Sequence, residues 1–181
     1  MPLDTIITKL FINNEFVDSE FNETFDTINP ETEEIIATVQ RAGSKDVDKA
    51  VRSAKDAFSK WRDVSGPARR DLLLKYADLI EENKDYLAKI ESLDNGKPVS
   101  IARDVDIGLA IKCIRYFAGW ADKIQGKTIP IENTSSVAFT IHEPVGVVGG
   151  IIPWNFPILM LVWKIGKEMR TRLVFCFSLF D

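Results

Sequence analysis

Apolar positions change their spacing along this chain, from short β-like runs to helical stripes and back to runs. Leu10-Phe11-Ile12 and Phe16-Val17 flank Asn13-Asn14-Glu15, residues that tolerate left-handed backbone, and the pattern predicts a hairpin. Phe25 to Ile28 and Ile35 to Gln40 predict a second one around Asn29-Pro30-Glu31-Thr32, where Pro30 presets φ for a turn.

A helical region follows. Ser44 is placed to cap a first helix, and Asp46 and Asp48 suit the positive end of its dipole. Val47, Ala50, Val51, Ala54, Phe58 and Trp61 fall on one face and read as core. Ser65-Gly66-Pro67 supplies the cap and first turn of a second helix that carries Leu72, Leu73, Tyr76, Ala77 and Ile80 inward. The register breaks around Asn83. Tyr86, Leu87, Ile90 and Leu93 form a shorter stripe that stops at Asp94-Asn95-Gly96-Lys97-Pro98. One long regular helix is then expected, with Ile101, Val105, Leu109, Ile111, Ile114, Phe117 and Ala121 on its apolar side over about six turns. Cys113 reads as a small buried hydrophobe within it, and Tyr116, Phe117 and Trp120 as packing.

From Lys127 the pattern returns to strands, Thr128 to Ile131 and Val137 to Glu143. Val145 to Ile152 is a nearly continuous apolar run, as in a strand of a parallel sheet buried on both faces. Pro153-Trp154-Asn155-Phe156-Pro157 ends it, and Ile158 to Ile165 begins a helical stripe. A buried strand, a tight loop and a helix make the first half of a βαβ unit, so the fold class is α/β, with ligands expected at the carboxyl end of that strand. Gly146, Gly149 and Gly150 do not spell the G-x-G-x-x-G of a phosphate loop.

Composition narrows the function classes. The 181 residues are 45% apolar and 28% charged, enough for one domain with a sizeable core. The net charge of -4 comes from 27 acidic and 23 basic residues that are interspersed, which argues against nucleic acid as a partner. Two cysteines far apart and one histidine, His142 in a strand of alternating pattern, give no disulfide framework and no His-based metal site. The start lacks the features of a signal peptide and no apolar run reaches the ~18 residues of a membrane span. A cytoplasmic protein without membrane contact is expected.

Five motifs, in order, resemble one family. Thr27-Ile28-Asn29-Pro30, Leu93 to Pro98 (LDNGKP), Tyr116 to Lys123 (YFAGWADK), Gly126 to Ile131 (GKTIPI) and Glu143 to Pro157 (EPVGVVGGIIPWNFP) are similar to segments of the aldehyde dehydrogenases. The resemblance implies the N-terminal part of that fold, incomplete: helices and strands of the Rossmann-like cofactor domain over residues 1–166, with an oligomerisation hairpin at about 127–148. It implies oxidation of an aldehyde to a carboxylic acid with NAD(P)+ through a cysteine thiohemiacetal in the full-length form, followed by hydrolysis with a glutamate as base. Asn155 would donate its side-chain N–H to the oxyanion, a neutral donor whose strength does not vary with pH. Ile151, Ile152, Pro153, Trp154 and Asn155 would line the cofactor. Thr27, Ile28 and Asp94 would bind a monovalent cation through hard oxygen atoms. Homo-oligomers are implied as well.

After Trp163-Lys164-Ile165-Gly166 the sequence reads KEMRTRLVFCFSLFD and departs from the family pattern. We expect residues 167–181 to be a non-family tail, translated from an unspliced intron or an erroneous gene model, and the chain to end before its nucleophilic cysteine. On that expectation the strand around Val148 has no parallel partner, and Leu173 to Phe180 is an aggregation hazard. The alternative function is a catalytically inactive truncated fragment that acts only by associating with full-length subunits.

Overall fold

The computed structural model describes residues 6–132, 135–169 and 174–179. Both predicted hairpins are present. Strand β1 (Leu10–Ile12) pairs antiparallel with β2 (Glu15–Val17), and Asn13 and Asn14 turn the chain with φ of 55° and 63°, the left-handed values that a two-residue hairpin loop demands. Strand β3 (Thr24–Ile28) pairs with β4 (Ile35–Gln40), with a register shift between Thr27 and Ile28.

Helix α1 (Ser44–Trp61) starts differently from expectation. Its N-cap is Gly43, and Ser44 lies inside the first turn, exposed. The carboxylate of Asp46 replaces the expected hydroxyl: it accepts from the Gly43 amide at 2.9 Å and from the Glu20 amide at 3.0 Å. Asp46 is consequently 2% exposed and ties the loop before β3 to the helix. Turning Asp46 inward turns its neighbour Val47 outward, to 50% exposure, so the core face includes Ala54 but not Val47.

Helix α2 (Gly66–Glu82) begins as predicted, the Ser65 hydroxyl accepting from the Ala68 amide at 3.3 Å. It ends at Asn83. Helix α3 (Lys84–Asn95) closes on Gly96, whose φ of 76° is the left-handed cap a side chain would oppose. The expected long regular helix is interrupted. Helix α4 (Val99–Ile101) runs into a π-helical segment, Ala102–Ile107, and then into α5 (Gly108–Ala118). A π turn takes more residues per revolution than an α turn and so rotates every side chain that precedes it. Ile101, Val105 and Leu109 therefore stay between 43% and 46% exposed, and Ala102, Asp106, Ile107 and Ala110 occupy the core instead.

The last third holds strands β5 (Thr128–Ile129) and β6 (Ala138–Phe139), antiparallel and shorter than expected, and then β7 (Val147–Ile152). Helix α6 (Pro157–Met169) leads to β8 (Val174–Leu179), which pairs in parallel with β7 from Val147 opposite Val174 to Ile152 opposite Leu179. This overturns the expectation of an unpartnered strand. A 13-residue helix is the crossover that parallel pairing requires, and residues after Gly166 supply the second half of a βαβ unit. α1 packs on both strands, while α6 joins the sheet to a helical layer of α2, α3 and α5. Small residues let these helices approach closely: Ala77, Ala88, Ala110 and Ala118 are fully buried, and a Cβ on Gly166 would meet the Phe117 ring at 2.9 Å.

The reassigned cap has a measurable consequence. Asp46→Ala leaves two amides without their acceptor and is expected to lower stability by about 1–3 kcal/mol in urea denaturation, whereas Ser44→Ala changes it by about 0.5 kcal/mol or less.

Candidate functional site

The segment between β7 and α6 is built by strand alternation followed by two prolines. Ile152 points into the core at 3% exposure, and its neighbour Ile151 faces out at 60%. Pro153 then removes a ladder donor and ends the strand. Trp154, 61% exposed, and Asn155, also exposed, occupy the turn, and Pro157 opens α6 at the position where a missing N–H costs nothing. The Phe156 carbonyl accepts the first helical bond, from the Met160 amide at 2.9 Å.

The Asn155 carbonyl is held from outside the segment. Lys97 Nζ donates to it at 2.8 Å, to Glu91 Oε1 at 2.9 Å, and to Asp106 Oδ2. An ammonium group has three N–H donors, and all three are used here. The Phe156 ring covers a further side, its centroid 4.3 Å from Nζ, at cation–π distance. The Glu91 and Asp106 side chains are 4% and 1% exposed, so the cluster carries two buried carboxylates against one buried cation. Burial, reinforced by the nearby Asp106 charge, pushes the Glu91 carboxyl above its usual range despite the attraction of Lys97. For Lys97, burial acts downward, but hydrogen bonds and charge from both carboxylates outweigh it and hold the ammonium above its ordinary value.

Thr27 and Asp94, distant in sequence, also meet: Thr27 Oγ1 donates to Asp94 Oδ1 at 2.9 Å. The neighbouring Ile28 side chain is 53% exposed. Two open cavities lie elsewhere. One of about 350 Å³ is lined by Gly66, Arg69, Asp122, His142 and Glu143 among others, and one of about 610 Å³ by Pro30, Asn95, Gly96 and Lys97 among others; Asn155 lines neither. Cys113 is a free, half-buried thiol whose proton affinity burial raises, as expected of a packed residue.

Sequence reasoning brought the turn residues forward and missed the Lys97 cluster, because Lys97 read only as part of a helix-stopping run. A signal was present. Asp106 sits four residues from Ala102 and four from Ala110, and Glu91 three from Ala88, so each acid shares a helix face with small residues, which the structure buries.

A profile of the aldehyde dehydrogenase family matches residues 16–171. This chain belongs to the aldehyde dehydrogenase family. It is 50% identical over 171 residues to a mitochondrial aldehyde dehydrogenase of Rattus norvegicus, a match that covers 93% of this chain and 33% of the relative. The NAD+ complex of an aldehyde dehydrogenase from Bacillus cereus superposes with a TM-score of 0.91 at 46% identity, covering 94% of this chain and 35% of that one. An apo betaine aldehyde dehydrogenase mutant from Staphylococcus aureus superposes with a TM-score of 0.94 at 32% identity, covering 99% of this chain and 36% of that one. The chain thus spans about one third of the length of the relatives it matches, and its fold is the N-terminal part of the aldehyde dehydrogenase fold. Among the described residues, no helix is long and apolar enough to cross a membrane.

Lys97 is the single cation of the cluster, so its removal leaves two buried carboxylates uncompensated. Lys97→Met is expected to cost roughly 3–5 kcal/mol, read by urea denaturation at pH 7. Because the Lys97 value is raised on folding, its contribution is complete below the unfolded value of about 10.4 and is lost as pH rises through the higher folded one. The melting temperature of the wild-type chain should accordingly fall more steeply above that pH than the melting temperature of Lys97→Met.

Proposed function

We propose that this chain is the part of an NAD(P)+-dependent aldehyde dehydrogenase that carries the oxyanion donor, in an enzyme that oxidises an aldehyde to a carboxylic acid. The observation that carries the proposal is Asn155, exposed at the carboxyl end of a parallel strand, on a turn bracketed by prolines and anchored through its own carbonyl. Ligands of open α/β sheets gather at that end. The side-chain N–H of Asn155 is free to turn toward a developing oxyanion without deforming the backbone, since the anchor uses only its carbonyl.

The residues present fit a nicotinamide cofactor, which when bound accepts the hydride. Exposed Ile151 and Trp154 offer an apolar surface beside the turn, and Pro153 keeps that surface extended. Ile152 would take part through its backbone, because its side chain is committed to the core. The NAD+ complex of the Bacillus cereus relative supports this assignment. For a monovalent cation, the hydroxyl of Thr27 and the carboxylate of Asp94, already adjacent, and the carbonyls of Thr27 and Ile28 are oxygen donors of the right hardness.

Homo-oligomerisation through the arm at about 127–148 belongs to the same proposal and is supported by Val137, Phe139 and Ile141, each more than 60% exposed. So does the division of the chain into a family part, residues 1–166, and a tail; the parallel pairing of β8 weighs against a boundary at 166. A cytoplasmic location is proposed on composition, while the rat relative's name gives the mitochondrion for that protein. A second reading is favoured by the one-third coverage: an inactive fragment that acts at most by associating with complete subunits.

Hydride transfer at 340 nm with NAD+ or NADP+ and a panel of aldehydes tests both readings, on the 181-residue chain and on a chimera of residues 1–166 followed by the remaining two thirds of the rat relative. Turnover is expected from the chimera alone. Asn155→Ala in the chimera should lower kcat by about 10²–10³ with KM little changed. An unchanged kcat removes Asn155 from the oxyanion role, and an inactive chimera of native fold favours the fragment.

A further inference from the structure

Lys97 is fixed before it reaches the Asn155 turn. Its backbone N–H donates to Asn95 Oδ1 at 3.1 Å, its carbonyl accepts from Ser92 Oγ at 2.6 Å, and the left-handed Gly96 before it redirects the chain out of α3. Its side chain is clamped by Glu91 from α3 and Asp106 from the π-helical segment. A regular α-helix places Val105 inward, as the sequence pattern suggested; the π turn presents Asp106 instead. Such turns recur at functional sites, and here the irregularity delivers one carboxylate to one ammonium.

The two carboxylates alone outnumber the cation, so the cluster does not need the Asn155 carbonyl for charge balance. The third N–H of Lys97 nevertheless goes to that carbonyl, and the Phe156 ring packs over the same ammonium. The consequence lies in the turn. Pro153 and Pro157 fix φ at their own positions, and the Phe156 carbonyl is engaged by α6. Rotation of the peptide plane between Asn155 and Phe156 is one freedom this leaves, and the Lys97 bond to the Asn155 carbonyl restrains it. That bond steadies the backbone from which the Asn155 side chain departs, while its own χ angles still turn the amide.

We infer that Lys97, held by Glu91 and Asp106, is a positioning residue that fixes the peptide plane after Asn155 and so places the backbone that presents the Asn155 amide. It acts through a backbone carbonyl, and preorganisation of this kind lets a donor meet developing charge without reorganising during the reaction. The inference rests on the oxyanion role proposed for Asn155 only for its functional meaning; the mechanical claim stands by itself.

The test uses the 181-residue chain labelled with 15N and 13C. In the wild type, a through-hydrogen-bond coupling between Lys97 15Nζ and the Asn155 carbonyl 13C is expected. In Lys97→Met the Asn155 carbonyl and side-chain NH2 resonances should shift, with those of α1 unchanged. Lys97→Arg, which keeps the charge, should bring the Asn155 carbonyl resonance part of the way back. Resonances of residues 154–156 that overlay those of the wild type in a folded Lys97→Met chain overturn the inference. Should that variant fail to fold, the wild type decides: the Asn155 carbonyl shift follows the Lys97 15Nζ titration with one midpoint if Lys97 aims the turn, and a carbonyl shift that stays flat while Lys97 titrates overturns it. These readouts are separate from turnover. A chimera whose kcat ignores Asn155→Ala overturns the proposed function and leaves the positioning claim intact.

Discussion

One half-buried ammonium group bonds to three parts of the chain at once. The end of α3, the π-helical segment and the turn before α6 all lend an acceptor to Lys97, and the ammonium has no N–H left over. A buried charge pair is expensive to desolvate and is retained where it specifies an arrangement. Here it specifies where the carboxyl end of a parallel strand sits relative to the helical layer. Burial, with Asp106 beside it, raises the Glu91 proton affinity against the pull of Lys97, and the two carboxylates together hold the proton on the Lys97 ammonium.

The rest of the molecule is arranged around that joint. The alanine-rich contacts of α2, α3 and α5 bring the two acids to one place, and α6 carries the turn against them. The β7–α6–β8 crossover gives the turn a rigid base, because β7 is paired with β8 as far as Ile152 and α6 packs on α5 and both strands. The aldehyde dehydrogenases similar to this chain are about three times its length.

Much of the fold was legible because local chemistry decided it. Asn13-Asn14 could only be a tight turn between β-prone runs, Ser65-Gly66-Pro67 only a helix start, and Gly96 a helix stop. The motif from Glu143 to Pro157 identified the family and pointed to Asn155, whose environment the sequence left open. The misreadings share a cause: each involved a polar group that tertiary contacts drew inward. Asp46 displaced Ser44 as the cap and turned Val47 out, and Asp106 rotated the helix after Pro98 away from regular spacing. Hydrophobic periodicity counts apolar residues, so a buried carboxylate satisfied by a distant lysine is invisible to it. The parallel partner of β7 was missed for another reason. The apolar run after α6 carries none of the five motifs, yet an apolar β-prone run is all that backbone pairing asks for.

The most direct measurement is the position of the Asn155 amide relative to a bound aldehyde in a crystal of the complete enzyme carrying these residues. The expected result is Asn155 Nδ2 within about 2.7–3.1 Å of the substrate oxygen, with Lys97 still on the Asn155 carbonyl. A substrate oxygen held by other donors, with the Asn155 amide turned to solvent, would contradict it.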